Sequence, residues 1–358
     1  MTNGIDNLPA EIVRRLLAKG SQVAAKSAAR AAEFAQAREQ IRDAISDLIA
    51  EVDVSVLERA GSVSVSAVDG GMVNDSKSIG DLCTAVGVSV GPGRDDCDCN
   101  VWMESVSRHA SNADILRGIM SSMEIALAAD SRADVVLVDG SMLSALFNVA
   151  HAIASSSRAS GPMRDRIMET ATPAFRDAVT SVLSSSRYVA MPKYTTTNEF
   201  ADRLPGWLAS QDARTVATMA LKPGEMTHFS FREYGAEVSR GRFSVPPLGF
   251  SDGEREWIAS AMNGVISCYY RPHPWTPAFR LDMTSSASGD GGAQLRALKA
   301  VWDTTNHATG LREPFPLYLA DLFAKQVSVG AAPVVEMSAL SAIGDADAKL
   351  LLAMGYRS

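Results

Sequence analysis

The chain predicts an α/β protein: a mixed sheet flanked by helices, preceded by an N-terminal helical arm and followed by additional C-terminal β and α elements. Three observations predict it. Residues 9 to about 52 are rich in Ala, Arg, Glu, Gln and Leu, whereas from Ser62 short apolar runs with a period of two take over. The order that follows reads strand, strand, strand, helix, strand. Two stretches also read alike: Ser64-Val-Ser-Ala-Val-Asp69-Gly-Gly and Asp134-Val-Val-Leu-Val-Asp139-Gly-Ser each run an apolar strand into an acid followed by glycine.

Taken in order, the arm carries apolar positions such as Ile12, Leu16, Val23, Phe34, Ile41 and Ile45 and predicts long helix, broken or turned near Gly20. Residues 63–68, 84–90 and 100–106 predict strands, with Gly-Pro-Gly at 91–93 punctuating the connection. Helix over 112–130 leads to a buried-looking strand at 134–138. Helix over 141–155, a small-residue loop to 161 and helix over 175–184 precede a strand at 188–191. After Lys193 come mixed loops, then β structure at 228–231, 243–245, 265–270 and 279–283. A flexible Ser/Gly tract at 285–292, helix over 293–303 and a closing amphipathic helix over 316–327 complete the pattern. The expected division is an arm of residues 1–55, a body of 56–330 and a tail of 331–358.

Composition bounds the function. At 358 residues, 46% hydrophobic and 21% charged, the chain can bury a sizeable core and is not a minimal binding module. No apolar run reaches the roughly 18 to 20 residues of a membrane span. No basic-then-apolar signal opens the sequence, so the expectation is a cytoplasmic protein. A net charge of −7 argues against a surface coated in basic residues but is compatible with a local basic groove. Of four cysteines, Cys97 and Cys99 lack a second paired motif, which favours loop thiols over structural zinc.

The chemistry concentrates on three acids. Asp69 and Asp139 are each expected at a strand end, and Glu124 stands alone among apolar and small residues of the intervening helix. A lone Asp-Gly is most often a turn; the second copy, after a four-residue apolar run, shifts the balance toward a site on an open sheet. Carboxylates held close together repel one another, and the usual compensation is a hard cation such as Mn²⁺ or Mg²⁺.

At these residues the chain resembles the NurA nucleases, prokaryotic DNA-processing enzymes with an RNase H-like fold. The resemblance rests on Ala67-Val-Asp69-Gly after a helical arm, a helix bearing Glu124, and Leu137-Val-Asp139-Gly-Ser141. It continues through Val189-Ala-Met-Pro-Lys193, Tyr270-Arg271, Phe279-Arg280-Leu-Asp282 and the closing Pro314-Phe315-Pro316-Leu-Tyr318-Leu-Ala320-Asp321, over roughly residues 10 to 330. It implies that Asp69, Glu124 and Asp139 are ligands of Mn²⁺ or Mg²⁺, held as two ions, and that the protein is a homodimer working with a hexameric HerA-type ATPase in DNA end resection and repair. The chain has no Gly-x-x-x-x-Gly-Lys-Ser/Thr loop, so a motor would have to be a separate protein. Exonuclease and single-strand endonuclease activity both fall within the expectation.

The closing motif departs from the family. Where the family shows tyrosine-proline and then alanine-histidine, this chain has Phe315-Pro316 and then Ala320-Asp321. Asp321 stands as a candidate fourth ligand, against a solvated helix residue. His273 and His307 lie where the missing histidine could be replaced. Lys193 is a candidate for the scissile phosphate. Arg271 and Arg280 read either as DNA-backbone contacts or as structural ions paired with Asp282 or Glu313. Tyr269, Tyr270, Trp207 and Trp275 read as base-stacking or core residues. A catalytically weak nuclease-fold adaptor that binds the motor or DNA is the alternative function.

Overall fold

The computed structural model describes residues 9–92, 96–141, 144–159, 161–170, 172–193, 198–231, 251–306 and 311–353. The strand expected at 243–245 and the candidate His307 lie outside them.

The arm is α1 (Ala10–Gln36) and α2 (Arg38–Ala44). The helix passes through Gly20 and turns at Ala37 instead, because one glycine costs a helix only about 1 kcal/mol. The arm also ends early: Ile49–Glu51 is a strand, β1. After α3 (Val54–Arg59) come β2 (Val65–Lys77), β3 (Gly80–Val90), β4 (Cys97–Val106), α4 (Asn112–Asp130), β5 (Val135–Asp139), α5 (Ser144–Ser155), α6 (Gly161–Glu169), α7 (Pro173–Ser184) and β6 (Tyr188–Met191). Then follow α8 (Ala213–Ala220), β7 (Glu225–Thr227), β8 (Ser230–Phe231), α9 (Asp252–Asn263), β9 (Ile266–Arg271), β10 (Phe279–Met283), α10 (Gly291–Asn306), α11 (Phe315–Ala342) and α12 (Ala346–Ala353).

Several expectations are corrected. Helices α6, α8 and α9 occupy stretches with no helix expected. The Ser/Gly tract holds a short helical turn at Ser285–Ala287 and the start of α10. Helix α11 runs well past residue 327 and carries Pro333 inside it. Cys97 and Cys99 are exposed thiols on a strand, β4, rather than in a loop, while Cys83 and Cys268 are buried.

The strands form one sheet in the order β1-β7-β9-β10-β6-β5-β2-β3-β4, with β8 pairing β9. Its centre is parallel, β2 with β5 and β5 with β6. Antiparallel pairs flank it, β2-β3-β4 on one side and β6-β10-β9 on the other. Central strands covered on both faces account for the near-continuous apolar runs in β5 and β6. On one face Val68, Val136 and Tyr188 pack with residues of α4, α5 and α7. On the other, Ala67, Leu137 and Val189 pack with α10 and α11.

Contact between β2 and α11 is backbone-close. A Cβ at Gly71 would stand 2.5 Å from the Ala324 carbonyl oxygen and 2.8 Å from its carbon, neither of which can swing aside. Gly71→Ala is therefore expected to destabilise the protein by about 1–3 kcal/mol, the usual cost of overpacking. A urea melt matching the parent's would show that α11 does not seat on β2 in this way.

Candidate active site

Strand register brings two of the acids together. In the parallel ladder Val68 pairs with Val138, so the next residue on each strand places Asp69 beside Asp139. Asp139 closes β5 as expected, but Asp69 does not end its strand: β2 continues to Lys77. Both acids follow the alternation of Ala67 and Leu137 onto the α11 face. Glu124 comes from α4 on the opposite face, and Gly70 is what lets it reach the strand. A Cβ at Gly70 would lie 2.5 Å from Glu124 Oε1 and 2.6 Å from Met120 Cγ.

The electrostatics are unbalanced. Asp69 is 6% exposed; its Oδ1 accepts from the Gly70 amide at 2.7 Å, while Oδ2 is buried with no hydrogen-bond partner. Burial, then the charges of Asp139 and Glu124, push its carboxyl up to about 8. Burial, then Asp139, likewise pushes Glu124 up to about 8. Asp139 Oδ1 accepts from the Gly140 amide at 2.9 Å, and its Oδ2 lies 3.1 Å from Lys193 Nζ. That ammonium also meets Glu313 at 3.2 Å. Burial alone would draw the lysine down, but Asp139 and Glu313 outweigh it and hold it charged.

One ammonium does not offset this cluster. Asp69 and Glu124 are pushed toward their neutral forms by burial first and by the neighbouring carboxylates second. An oxygen-only donor set with an orphaned, buried carboxylate oxygen suits a hard divalent cation. Among the described residues, no three His, Cys, Asp or Glu side chains already converge on a common point. Among the described residues the cation paired with Asp139 is Lys193.

The NurA domain matches residues 63–326, most of the chain. The chain belongs to the NurA family. Crystal structures of NurA proteins share its fold. The NurA nuclease from Sulfolobus solfataricus superimposes with a TM-score of 0.58 at 14% identity, covering 93% of this chain and 97% of that one. NurA bound to dAMP and manganese gives 0.55 at 12% identity, over 94% and 99%. NurA with manganese gives 0.54 at 12%, over 91% and 99%. No curated protein matches the chain. The mixed α/β architecture expected from the sequence is the one this NurA chain has.

The remaining candidates fare differently. Asp321 sits on α11 with Lys325 one turn away at 2.7 Å, and lines the same cavity as Lys193 and Glu313. The charges acting most on Asp69 are Asp139, Glu124 and Lys193. Arg271 and Arg280 both engage partners within the protein, as in the structural-ion reading of each. Arg271 donates to the carbonyls of Thr276, Thr218, Leu221 and Pro274. Arg280, 2% exposed, forms a bidentate pair with the fully buried Asp282. Tyr269 and Tyr270 are core residues. Trp207 packs edge-on against Phe34, and Trp275 stacks on His273. His273 is buried, with its Nε2 3.1 Å from the Trp302 carbonyl oxygen. Sequence reading gave Glu313 only a structural role toward the arginines; its position just before the proline that starts α11 was the available signal.

Proposed function

We propose that this NurA-family chain is a metal-dependent DNA nuclease, with Asp69, Glu124 and Asp139 holding Mn²⁺ or Mg²⁺. The observation that carries the reading is Asp69: buried, orphaned at Oδ2, and crowded by two further carboxylates. Relatives of the same fold crystallised with manganese, one also with dAMP, support it. When bound, a pair of divalent ions would supply Lewis-acid charge and an activated water for phosphodiester hydrolysis. Asp69, which feels the charges of both other acids, would be one of the residues that hold them.

Lys193 acts as a charge and not as a base, since its neighbours keep it protonated. Glu313, 3.2 Å from the ammonium, gives it a second anchor besides Asp139, so the ammonium can meet a phosphate oxygen while staying tethered. Lys193→Ala is expected to lower cleavage about 10²-fold, the scale of losing one cationic clamp. Apparent Mn²⁺ affinity should hold or improve, because a competing cation leaves Asp139. Weaker Mn²⁺ binding in that variant would contradict the role. Asp321 is retained as fourth ligand on position alone, through its place in the cavity beside Lys193.

The wider reading follows the family: a homodimer acting in the cytoplasm on DNA ends with a HerA-type hexameric ATPase, as exonuclease, single-strand endonuclease or both. The body of 56–330 would carry the chemistry, with the arm of 1–55 and the tail of 331–358 as additions. No described helix is long and apolar enough to cross a membrane. The test is cleavage of end-labelled single- and double-stranded DNA with Mn²⁺, Mg²⁺ or EDTA, comparing the parent with Asp139→Ala and Asp321→Ala. Metal-dependent cutting lost in folded Asp139→Ala supports the nuclease. A parent that never cuts, alone or with a motor, would leave the adaptor reading.

A further inference from the structure

Glu124 reaches the candidate site from α4, and Ser121, a turn before it on that helix, is 1% exposed. Helix α5 is seated closely on α4 at this level. A Cβ at Gly118 would stand 2.2 Å from the Ala152 Cβ and 3.0 Å from the Asn148 carbonyl oxygen. From that seat Asn148 Nδ2 donates to Ser121 Oγ at 3.1 Å. A buried hydroxyl within a helix ordinarily turns its proton back on a carbonyl of the preceding turn. Ser122 does so, donating to the Ile119 carbonyl at 2.7 Å, and Thr304 and Thr305 of α10 donate to Ala300 and Val301 in the same way. Ser121, among the described residues, does not. A serine hydroxyl has one proton to give and lone pairs to receive. Here Asn148 occupies a lone pair and the proton goes to the Glu124 carboxylate, whose charged form it favours against burial and the charge of Asp139. Neighbouring turns of a helix face one another, so this reach needs no distortion.

We propose that Ser121 and Asn148 are positioning residues for the metal site: Asn148 fixes the Ser121 hydroxyl, and that hydroxyl holds the Glu124 carboxylate aimed at a divalent cation. The inference rests on the metal reading above and names two residues that act only through Glu124. A glutamate side chain is long and rich in rotamers, and aiming it costs entropy that a fixed partner removes from the binding step. Gly70 gives the carboxylate room on the strand side, where a Cβ would lie 2.5 Å from Oε1. Room alone does not choose an orientation; the Ser121 hydroxyl does, and the close seat of α5 at Gly118 keeps Asn148 where it can hold that hydroxyl. Outer partners that orient a ligand in this way contribute about 10- to 100-fold in metal affinity.

The test is Mn²⁺ titration without DNA, followed by electron paramagnetic resonance of the free ion, on the parent, Ser121→Ala, Asn148→Ala, the double variant and Asn148→Asp. Ser121→Ala should bind Mn²⁺ about tenfold more weakly. Asn148→Ala should also weaken binding, and the double variant should be no weaker than Ser121→Ala, because Asn148 has nothing to act on once the hydroxyl is gone. Asn148→Asp keeps the shape but replaces the donor by an acceptor, which draws the Ser121 proton away from Glu124. It should weaken Mn²⁺ binding even though an added negative charge, acting through space alone, would tighten it. Urea unfolding checks that each variant is read as folded protein. Lost stability with parent-like Mn²⁺ affinity in Ser121→Ala would reduce the pair to a helix-packing contact and overturn the proposal. Additive losses in the double variant, or unchanged or tighter binding in Asn148→Asp, would overturn it as well. A parent that binds Mn²⁺ while the variants match it ends only the positioning role, whereas a parent that binds no Mn²⁺ ends the metal reading and this role with it.

Discussion

Replacing Asp69 by asparagine is expected to reduce metal-dependent cleavage at least ~10³-fold while making the metal-free protein more stable at pH 8. Both effects have one origin. Asp69 occupies the middle of a central strand, where its Oδ2 has neither solvent nor a donor, and two more carboxylates press on it. On the proposed reading the anion is what a divalent cation would meet, and without a cation its burial makes the charge costly. Asparagine removes the charge and keeps the shape.

The pH dependence follows with a definite sign. Asp69 titrates near 8 in the folded chain against an ordinary value of 3.8, and Glu124 near 8 against 4.5. Between those values the folded protein holds protons that the unfolded chain has released. The metal-free protein is therefore most stable below about pH 4 as far as these two groups are concerned, and loses that contribution as pH rises through 8. In EDTA the parent's melting temperature should fall from pH 5 to pH 9, and the fall should be shallower in Asp69→Asn. At pH 8, Mn²⁺ should raise the parent's melting temperature with concentration, as any ligand of the native state does, and leave the variant unmoved. A variant as pH-sensitive as the parent, or one equally stabilised by Mn²⁺, would mean that Asp69 is not the uncompensated ligand.

Much of this site was legible in the sequence because its chemistry is carried on regular elements. Asp139 after Val-Val-Leu-Val and Glu124 within an apolar helix could be placed by periodicity alone, and β5 and α4 lie where the pattern put them. Asp69 was located correctly but misread as a strand end, since Gly70-Gly71 looks like a turn. The glycines are there because Glu124 and Met120 press on one face of β2 and Ala324 on the other. That reason exists only after the helices, distant in sequence, have packed. The same limit hid the bond from Lys193 to Glu313, which joins residues brought together by β6 and the start of α11. In the arm, local propensity failed at Ile49–Glu51, because pairing with β7 overrides a helical composition.

Arg280→Ala is expected to destabilise the protein by about 3–5 kcal/mol, the cost of stranding one member of a buried ion pair. Its Nε and Nη2 meet the two oxygens of Asp282 at 2.7 and 2.8 Å, two residues along the same strand. Asp282 is fully buried and also accepts from Ser267 Oγ at 2.6 Å, so it cannot turn to solvent when the guanidinium goes. The contact also bears on the candidate site, since β10 lies next to β6, the strand that leads to Lys193. Arg280→Met with Asp282→Leu should recover most of the lost stability, because deleting both charges leaves neither one stranded. Urea unfolding measures each variant, and single-stranded DNA affinity in EDTA is read on the folded protein. Parent-like stability in Arg280→Ala with weakened DNA binding would return Arg280 to the DNA and leave Asp282 with another partner. Lost stability with unchanged affinity would fix it as the buried counter-ion that keeps β10 in register beside β6.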